Sequence, residues 1–315
     1  MIKTEIMNLD KYETNERNGM YGGKAGDKEG VTIDGEYWIV KYPKSTKGME
    51  GELDLYTTSP LSEYIGSHIY QMLGIETHDT IPGIRNNKLV VACKDFCRSE
   101  GSLREMRTLE NVYDEVLAEK LEQSISPASS TTSSHFIDME DVFLQLQFNL
   151  ILSKIPNVES RFWEQFLVDM LINNNDRNSG NWGILYENGR YRLAPVFDND
   201  ESFFNKTPER KLFRMSVDKE YLQQSINSSM SVYRINGHRI HGKDMINIEN
   251  ENFYKTAAVL IPNIKERMEE ILDFVQKIPE RLDDITICSD ARKRVYTQSM
   301  EIKMEQFFMP VYAKC

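Results

Sequence analysis

One stretch, residues 173–201, constrains the fold most, because it combines a helix stop with a β-hairpin signal. Just before it, residues 162–171 place apolar side chains at the i, i+1, i+4 spacing of a buried helix face. Three asparagines then end the helix. Two β-rich runs, residues 182–186 and 191–197, flank an Asn-Gly pair, which is the strongest two-residue hairpin signal. The sequence therefore predicts a helix, a polar loop and a hairpin.

A turn at Asn188 and Gly189 fixes the register of that hairpin. The predicted pairs are Tyr186 with Tyr191, Ile184 with Leu193 and Asn181 with Val196. Asp198 then lies two residues beyond the partner of Asn181, an offset of about 7 Å along a strand. The short side chains of Asn181 and Asp198 can span this distance and bind the same cation. Asp176 lies in the same loop, five residues before Asn181.

Three oxygen-bearing side chains of this segment indicate its chemistry. Asn181 and Asp198 offer the hard oxygen ligands that Mg²⁺ prefers, and the Asp176 carboxylate can orient a hydroxyl, so the set fits phosphoryl transfer. The D-x-x-x-x-N spacing alone also permits a solvated loop before an ordinary hairpin. A calcium-binding loop is excluded, because the positions that require Gly and Glu hold Ser179 and Leu185.

A glycine-rich loop near the amino terminus precedes a second predicted hairpin. Its candidate phosphate-binding residues are Gly22, Gly23, Lys24 and Gly26. Glycines let backbone amides approach phosphate oxygens closely, although such clusters are also common in simple turns. In the following strand Lys41 shares a face with Tyr37 and Ile39. A lysine there marks either an exposed edge or an ammonium that binds the α- and β-phosphates of ATP.

A helix is predicted for residues 59–74, and it carries a candidate partner for Lys41. Glu63 is the natural choice, yet helical geometry places it almost opposite the apolar stripe. Glu50 and Glu52 therefore remain alternatives.

The motifs resemble those of the HipA-like kinases and, more distantly, of the phosphatidylinositol 3- and 4-kinases. The catalytic loops of those families read D-R-H-x-x-N or D-x-H-x-x-N before a metal-binding Asp. Here the loop reads Asp-Arg-Asn-Ser-Gly-Asn, followed by Ala-Pro-Val-Phe-Asp. The resemblance implies Asp176 as catalytic base, Asn181 and Asp198 as magnesium ligands, and Lys41 as the nucleotide lysine. One departure is Asn178, which stands where the family has His and cannot titrate near neutrality.

The resemblance extends to both ends of the expected nucleotide cleft. Glu63 lies in a Ser-Glu-Tyr that resembles the family's Asn-Glu-Tyr, and a hinge-like Phe-x-Arg begins at Phe96. The backbones of Lys94 and Phe96 are therefore the candidates for adenine contacts. The implied fold is α+β and two-lobed, like a protein kinase. Residues 1–95 would form a small β-rich lobe with one main helix, and residues 96–315 a larger, mostly helical lobe with the catalytic loop and metal-binding hairpin.

Composition and charge indicate which binding partners and which cellular compartment to expect. The chain has 315 residues, enough for two modest lobes, and its formal net charge of -11 argues against nucleic acid or an anionic membrane as the main partner. No window reaches about 18 uncharged apolar residues, so no membrane span is expected. The amino terminus lacks a signal or transit pattern, which predicts the cytoplasm by default. The resemblance leaves two other locations open, which are export without a classical signal and delivery into another cell. The four scattered cysteines predict reduced thiols.

The remaining segments give weaker signals. Helical patterns occur at residues 103–123, 143–155, 264–275 and 295–307. The serine-rich residues 124–134 are expected to form an insertion, and a further hypothesis is that they accept phosphate in autophosphorylation. Residues 203–243 are expected to be irregular surface structure.

The leading hypothesis is an ATP- and Mg²⁺-dependent serine/threonine protein kinase of HipA-like type. Its acceptor would be a Ser or Thr of a protein, the kinase itself included. A phosphoinositide kinase is an alternative, but the missing basic or amphipathic membrane face counts against it. A pseudokinase or nucleotide-gated interaction module is a third hypothesis, motivated by Asn178 in place of the family's His.

Overall fold

The computed structural model describes residues 5–20, 28–97, 103–109 and 137–315, and it shows an α+β fold. The amino-terminal part is a five-stranded sheet with one long helix, α1 (Ser59–Met72). The strands of this sheet are β1 (Met7–Asn8), β2 (Lys28–Ile33), β3 (Glu36–Lys41), β4 (Thr80–Arg85) and β5 (Lys88–Lys94). The predicted phosphate-binding residues Gly22, Gly23, Lys24 and Gly26 lie outside the described residues, as do residues 124–134.

The carboxyl-terminal part is mostly helical, with short strands between the helices. Its elements are β6 (Leu103–Glu105), α2 (Met106–Leu109), β7 (Ile137–Asp138), α3 (Met139–Phe148), α4 (Val158–Ile172), β8 (Gly183–Glu187), β9 (Arg190–Leu193), α5 (Glu209–Val217), α6 (Lys219–Ser228), β10 (Met230–Ile235), β11 (His238–His241), α7 (Glu251–Lys277), β12 (Arg281–Leu282), β13 (Ile285–Thr286), α8 (Asp290–Lys303), a π-helical turn (Met304–Phe308) and α9 (Met309–Tyr312). Within the described ranges, no helix has both the length and the apolarity to cross a membrane.

The five-stranded sheet has the order β1-β4-β5-β3-β2, so β3 is an interior strand. Its predicted hairpin with β2 is confirmed, since Val31 pairs with Trp38 in antiparallel register. At the end of β3, Lys41 pairs with Lys28 on one side and Val91 on the other. The edge-strand interpretation of Lys41 is therefore wrong.

Helix α1 is buried on nearly all sides, so its apolar stripe does not show which of its residues face the core. Pro60 stands in the first turn, where its missing N–H leaves no intrahelical bond unmade, and Gly74 follows the helix with φ +77°. One side packs on β4 and β5, and Tyr64 contacts the ring of Phe274 in α7 at 5.6 Å. The side opposite the stripe is also covered, so Glu63 is 0% exposed.

The helix that precedes the polar loop ends as predicted. Asn173 follows α4 in the left-handed conformation, with φ +61°, which asparagine adopts more readily than most residues. Phe162, Trp163 and Phe166 are fully buried in the core of the carboxyl-terminal part. This core fixes α4, and α4 in turn fixes the start of the polar loop.

The hairpin register is confirmed in β8 and β9, where Ile184 pairs with Leu193 and Tyr186 with Tyr191. Its predicted continuation, Asn181 opposite Val196, is wrong. The chain leaves the hairpin after β9, because the N–H of Val196 donates to the carbonyl of Glu76 at 2.8 Å. Val196 thereby forms a parallel bridge with Thr77, in the segment between α1 and β4.

Two further expectations are corrected by the structure. Residues 103–105 form a strand rather than a helix, because they pair with β8 in antiparallel register. Residues 203–243 are not irregular, since they contain α5, α6, β10 and β11. Their buried apolar residues include Leu212 and Leu222, and an Asn236-Gly237 turn joins the two strands. The helical pattern of residues 264–275 is confirmed by α7, and that of residues 295–307 by α8 and the π-helical turn. The pattern of residues 143–155 is confirmed only as far as Phe148, where α3 ends.

Candidate active site

A buried lysine lies at the centre of the candidate site. The Lys41 ammonium donates to Glu63 Oε2 and to Asp198 Oδ1, both at 2.7 Å, and the residue is 8% exposed. Burial alone would lower the pKa of Lys41, but the Asp198 and Glu63 carboxylates together raise it well above its ordinary value. The group is therefore charged, and it joins the sheet, α1 and the segment after β9. The other two candidate partners are exposed, and Glu52 pairs with Arg210 instead.

The Glu63 carboxylate has a second partner on its other oxygen. His78, in the segment between α1 and β4, contacts Oε1 through Nε2 at 2.8 Å. Burial would raise the pKa of Glu63, but Lys41 and His78 hold it well below its usual range. Sequence analysis did not select His78. Its position just before a strand gave no pattern that would have singled it out.

The polar loop after α4 places Asn181 and Asp176 against each other. The Asn181 side-chain nitrogen donates to the backbone carbonyl of Asp176 at 2.6 Å, which directs the amide oxygen away from that contact. An amide oxygen oriented in this way is a suitable ligand for a hard cation.

The residues present fit a magnesium ion. Carboxylate oxygens of Asp198 and Asp200 lie within 4.8 Å of each other and of Glu63, and Asp198 has φ +61°. Both oxygens of Glu63 are engaged by Lys41 and His78, so Asp198 and Asp200 are the carboxylates of this cluster that are better placed to bind a cation. Burial and the neighbouring Asp198 carboxylate raise the pKa of Asp200 to about 7. Hard oxygen donors at this spacing suit Mg²⁺ rather than a softer metal. Lys44 balances part of the charge, with Nζ 3.0 Å from both Asp200 and Glu201.

Asp176 is half-buried, and its carboxylate accepts a hydrogen bond. The Asn178 side chain donates to Asp176 Oδ1 at 3.0 Å. Burial raises the pKa of Asp176, and this hydrogen bond opposes the rise. Asn178 thus stabilises the ionised carboxylate without carrying a charge of its own.

Arg177 ties the polar loop to the rest of the site, and sequence analysis missed it. Its guanidinium is fully buried, pairs with both oxygens of Asp169 at 2.9 and 3.0 Å, and donates to the Asn181 carbonyl at 3.0 Å. It also bonds the Phe197 carbonyl and the Asn199 side chain. A signal existed, because Asp169 is a charged residue within the apolar pattern of α4 and needs a buried partner.

The predicted hinge lies beside these groups. The N–H of Lys94 donates to the Asp79 carbonyl at 2.8 Å, so an adenine contact there would use the Lys94 carbonyl and the Phe96 N–H. The Phe96 ring packs against Phe197 at 5.6 Å and against His78 at 6.4 Å. The hinge thus contacts the residue that precedes Asp198.

An interior-strand lysine, a helix glutamate and loop carboxylates in this arrangement define a two-lobed, kinase-like protein. Residues 11–282 match the family model described as the HipA-like C-terminal domain, so the chain belongs to that family. The predicted resemblance to the HipA-like kinases is confirmed.

Individual relatives agree with this assignment. The serine/threonine-protein kinase CtkA of Helicobacter pylori strain J99 is 32% identical over 188 residues, which cover 59% of this chain. The match spans about half of that relative, 52% of its length.

Two solved structures share the fold. A crystal structure of the proinflammatory kinase CtkA of Helicobacter pylori superposes with a TM-score of 0.81 at 23% identity, covering 98% of both chains. The HipA of Shewanella oneidensis MR-1, solved with HipB and operator DNA, gives 0.55 at 10% identity, covering 99% of this chain and 76% of that one.

Proposed function

We propose that this protein is an ATP- and Mg²⁺-dependent serine/threonine protein kinase of HipA-like type. The observation that carries the proposal is the Lys41 ammonium, held at 2.7 Å from both Glu63 and Asp198 in a buried site. A buried strand lysine that pairs with a helix glutamate is pre-organised for phosphate oxygens. The name of the relative CtkA, a serine/threonine-protein kinase, supports the same reaction.

The proposed roles combine the resemblance to the HipA-like kinases with the contacts of the described side chains. Lys41 binds the α- and β-phosphates, and the Lys94 carbonyl and Phe96 N–H bind adenine. Asn181 and Asp198 hold Mg²⁺, which when bound neutralises charge on the phosphates. The glycine-rich loop, with Gly22, Gly23, Lys24 and Gly26, would cover the phosphates.

Asp176 is the proposed catalytic base. Its carboxylate accepts from Asn178 on Oδ1, so Oδ2 is the oxygen that would face the hydroxyl of an incoming Ser or Thr. The base orients that hydroxyl and takes its proton as the oxygen attacks the γ-phosphate. The acceptor would be a protein, including another copy of this kinase or its own chain.

Intact-mass spectrometry tests the proposal directly. Incubation with Mg²⁺ and ATP, with and without a basic model protein as acceptor, should add the mass of whole phosphate groups to the acceptor or to the kinase. Peptide mapping then locates the phosphate and tests residues 124–134 as the autophosphorylated segment. Unchanged masses together with nucleotide-dependent thermal stabilisation would instead support a binding module without catalysis.

That binding module is the second candidate, and one observation favours it. Asn178 occupies the position of the family's His and engages a carboxylate oxygen of the proposed base. A base that is hydrogen-bonded in this way is a weaker proton acceptor, since the bond stabilises its ionised form.

Replacing Asn178 by Ala should move the acid limb of the pH–rate profile to higher pH. Burial raises the pKa of Asp176, and the Asn178 hydrogen bond lowers it, so losing that bond lets the pKa rise further. A base must be ionised to act, and transfer is therefore lost at a higher pH than in the wild type. Initial rates of transfer measured across the acid range check the shift.

Asn175→Ala is the matched control, because Asn175 is an exposed amide in the same loop. Its profile should superpose on that of the wild type. An unshifted limb in the Asn178 variant would show that the hydrogen bond does not tune the base.

Replacing Asp198 by Ala should weaken the binding of Mg²⁺-ATP by about tenfold or more, as expected for loss of a direct metal ligand. Without Mg²⁺ the affinity for ATP should hold or increase, because the change removes a carboxylate that competes with phosphate for Lys41. Titration calorimetry with Mg²⁺ and with a chelator measures both affinities. An equal loss in both conditions would contradict the role of Asp198 as a metal ligand.

A further inference from the structure

His78 joins the two halves of the candidate site, although it belongs to neither the lysine strand nor the polar loop. It is 6% exposed and lies between α1 and β4. A carboxylate can only accept hydrogen bonds once ionised, so the 2.8 Å contact requires that Nε2 carry the proton and donate to Glu63 Oε1. The two oxygens of Glu63 are thus divided between His78 and Lys41.

The backbone of the same segment fixes the chain that leads to Asp198. The N–H of His78 donates to the carbonyl of Val196 at 3.2 Å, and the Thr77 hydroxyl donates to that carbonyl at 2.8 Å. Val196 in turn donates to the Glu76 carbonyl. Asp198 follows two residues later, and its carboxylate is the second partner of the Lys41 ammonium.

Cys93 lies beside the contact between His78 and Glu63. Its thiol lies within 4.8 Å of the ligand atoms of Glu63 and His78, a donor set that a transition metal could use. Both oxygens of Glu63 are already engaged by hydrogen-bond donors, however. The cluster is therefore a hydrogen-bonded support for the ion pair.

Among the described residues, His78→Leu would leave Glu63 Oε1 with the Ser67 hydroxyl as its donor, at 3.4 Å. A buried carboxylate oxygen that loses a strong donor is costly, so the side chain turns toward its remaining cation. Lys41 would then be drawn more tightly to Glu63 and would be less well directed toward a phosphate.

We propose that His78 is a positioning residue for nucleotide phosphates: it fixes the Glu63 carboxylate, and through Glu63 it aims the Lys41 ammonium into the cleft. This inference rests on the proposed kinase function. It assigns to His78 no contact with the nucleotide itself. It therefore predicts a defect that depends on the phosphates and not on the adenosine.

The test compares two ligands across three variants of one residue. His78→Gln retains an N–H donor at about the position of Nε2, whereas His78→Asn shortens the reach and His78→Leu removes the donor. Affinities for Mg²⁺-ATP and for adenosine are measured by competition against a fluorescent nucleotide. We expect the Leu and Asn variants to lose about tenfold in Mg²⁺-ATP affinity, as for one hydrogen bond to a charged group. Adenosine affinity should stay within about twofold, and the Gln variant should bind Mg²⁺-ATP within about threefold of the wild type.

His68→Leu is the matched control, because His68 lies in α1, where Nδ1 contacts the Tyr64 carbonyl and the ring stacks on Phe274. It should bind both ligands like the wild type. Should the Leu variant fail to fold, the contrast between Gln and Asn decides the question. Equal Mg²⁺-ATP affinity in Gln and Asn variants, or a parallel loss of adenosine, would overturn the role of His78 alone. A wild-type protein that binds no Mg²⁺-ATP would overturn the kinase proposal with it.

Discussion

Replacing Asp176 by Asn should reduce phosphate transfer by about 10²- to 10⁴-fold, the range that a general base contributes, while Mg²⁺-ATP still binds. The change removes the group that takes the proton and preserves the shape of the side chain. Asn181 contacts the backbone carbonyl of Asp176 rather than its carboxylate, so the substitution leaves that proposed metal ligand oriented. Initial rates with radiolabelled ATP, together with calorimetric titration of Mg²⁺-ATP, separate the two effects.

Asp283→Asn is the matched control for this substitution. Asp283 is exposed in the turn between β12 and β13 with φ +50°, a conformation that asparagine tolerates equally well. Its transfer rate should equal that of the wild type. Transfer within about tenfold of wild type in the Asp176 variant would mean that this carboxylate is not the base.

The features that sequence predicted best depend on local chemistry. Asn188 and Gly189 both adopt positive φ, +51° and +76°, as a tight hairpin turn requires, and that requirement alone fixed the register of β8 and β9. The same Asn-Gly signal at residues 236–237 joins β10 to β11, within a segment that was expected to be irregular. This turn signal was missed in a segment where two short helices precede the hairpin.

The features that sequence left open depend on contacts between distant segments. A helix that buries a single apolar stripe would leave Glu63 facing away from Lys41. Helix α1 is instead covered by the sheet on one side and by α7 on another. Val196 does not pair with Asn181, because its N–H donates to the carbonyl of Glu76. His78 and Arg177 act through partners that lie far away in sequence, and no spacing rule predicts such partners.

Replacing Arg177 by Met should destabilise the protein by about 3–5 kcal/mol, the usual cost of removing one partner of a buried ion pair. Asp169 is 3% exposed, and without the guanidinium its partners in the described part of the chain would be the Tyr70 hydroxyl and the Asn174 amide, both uncharged. The loop would also lose the donors that hold the carbonyls of Asn181 and Phe197. Urea unfolding followed by circular dichroism measures the change in the free energy of unfolding.

Two comparisons make this prediction specific to the buried pair. Arg267→Met removes an exposed arginine that bonds Glu270 at 3.0 Å, and it should change stability by less than about 1 kcal/mol. Adding Asp169→Asn to Arg177→Met should recover part of the loss, because the uncompensated charge disappears with the carboxylate. If the double variant were as unstable as the sum of the two single variants, the cost would come from lost packing. A loss below about 1 kcal/mol in Arg177→Met would mean that the guanidinium does not hold the polar loop in place.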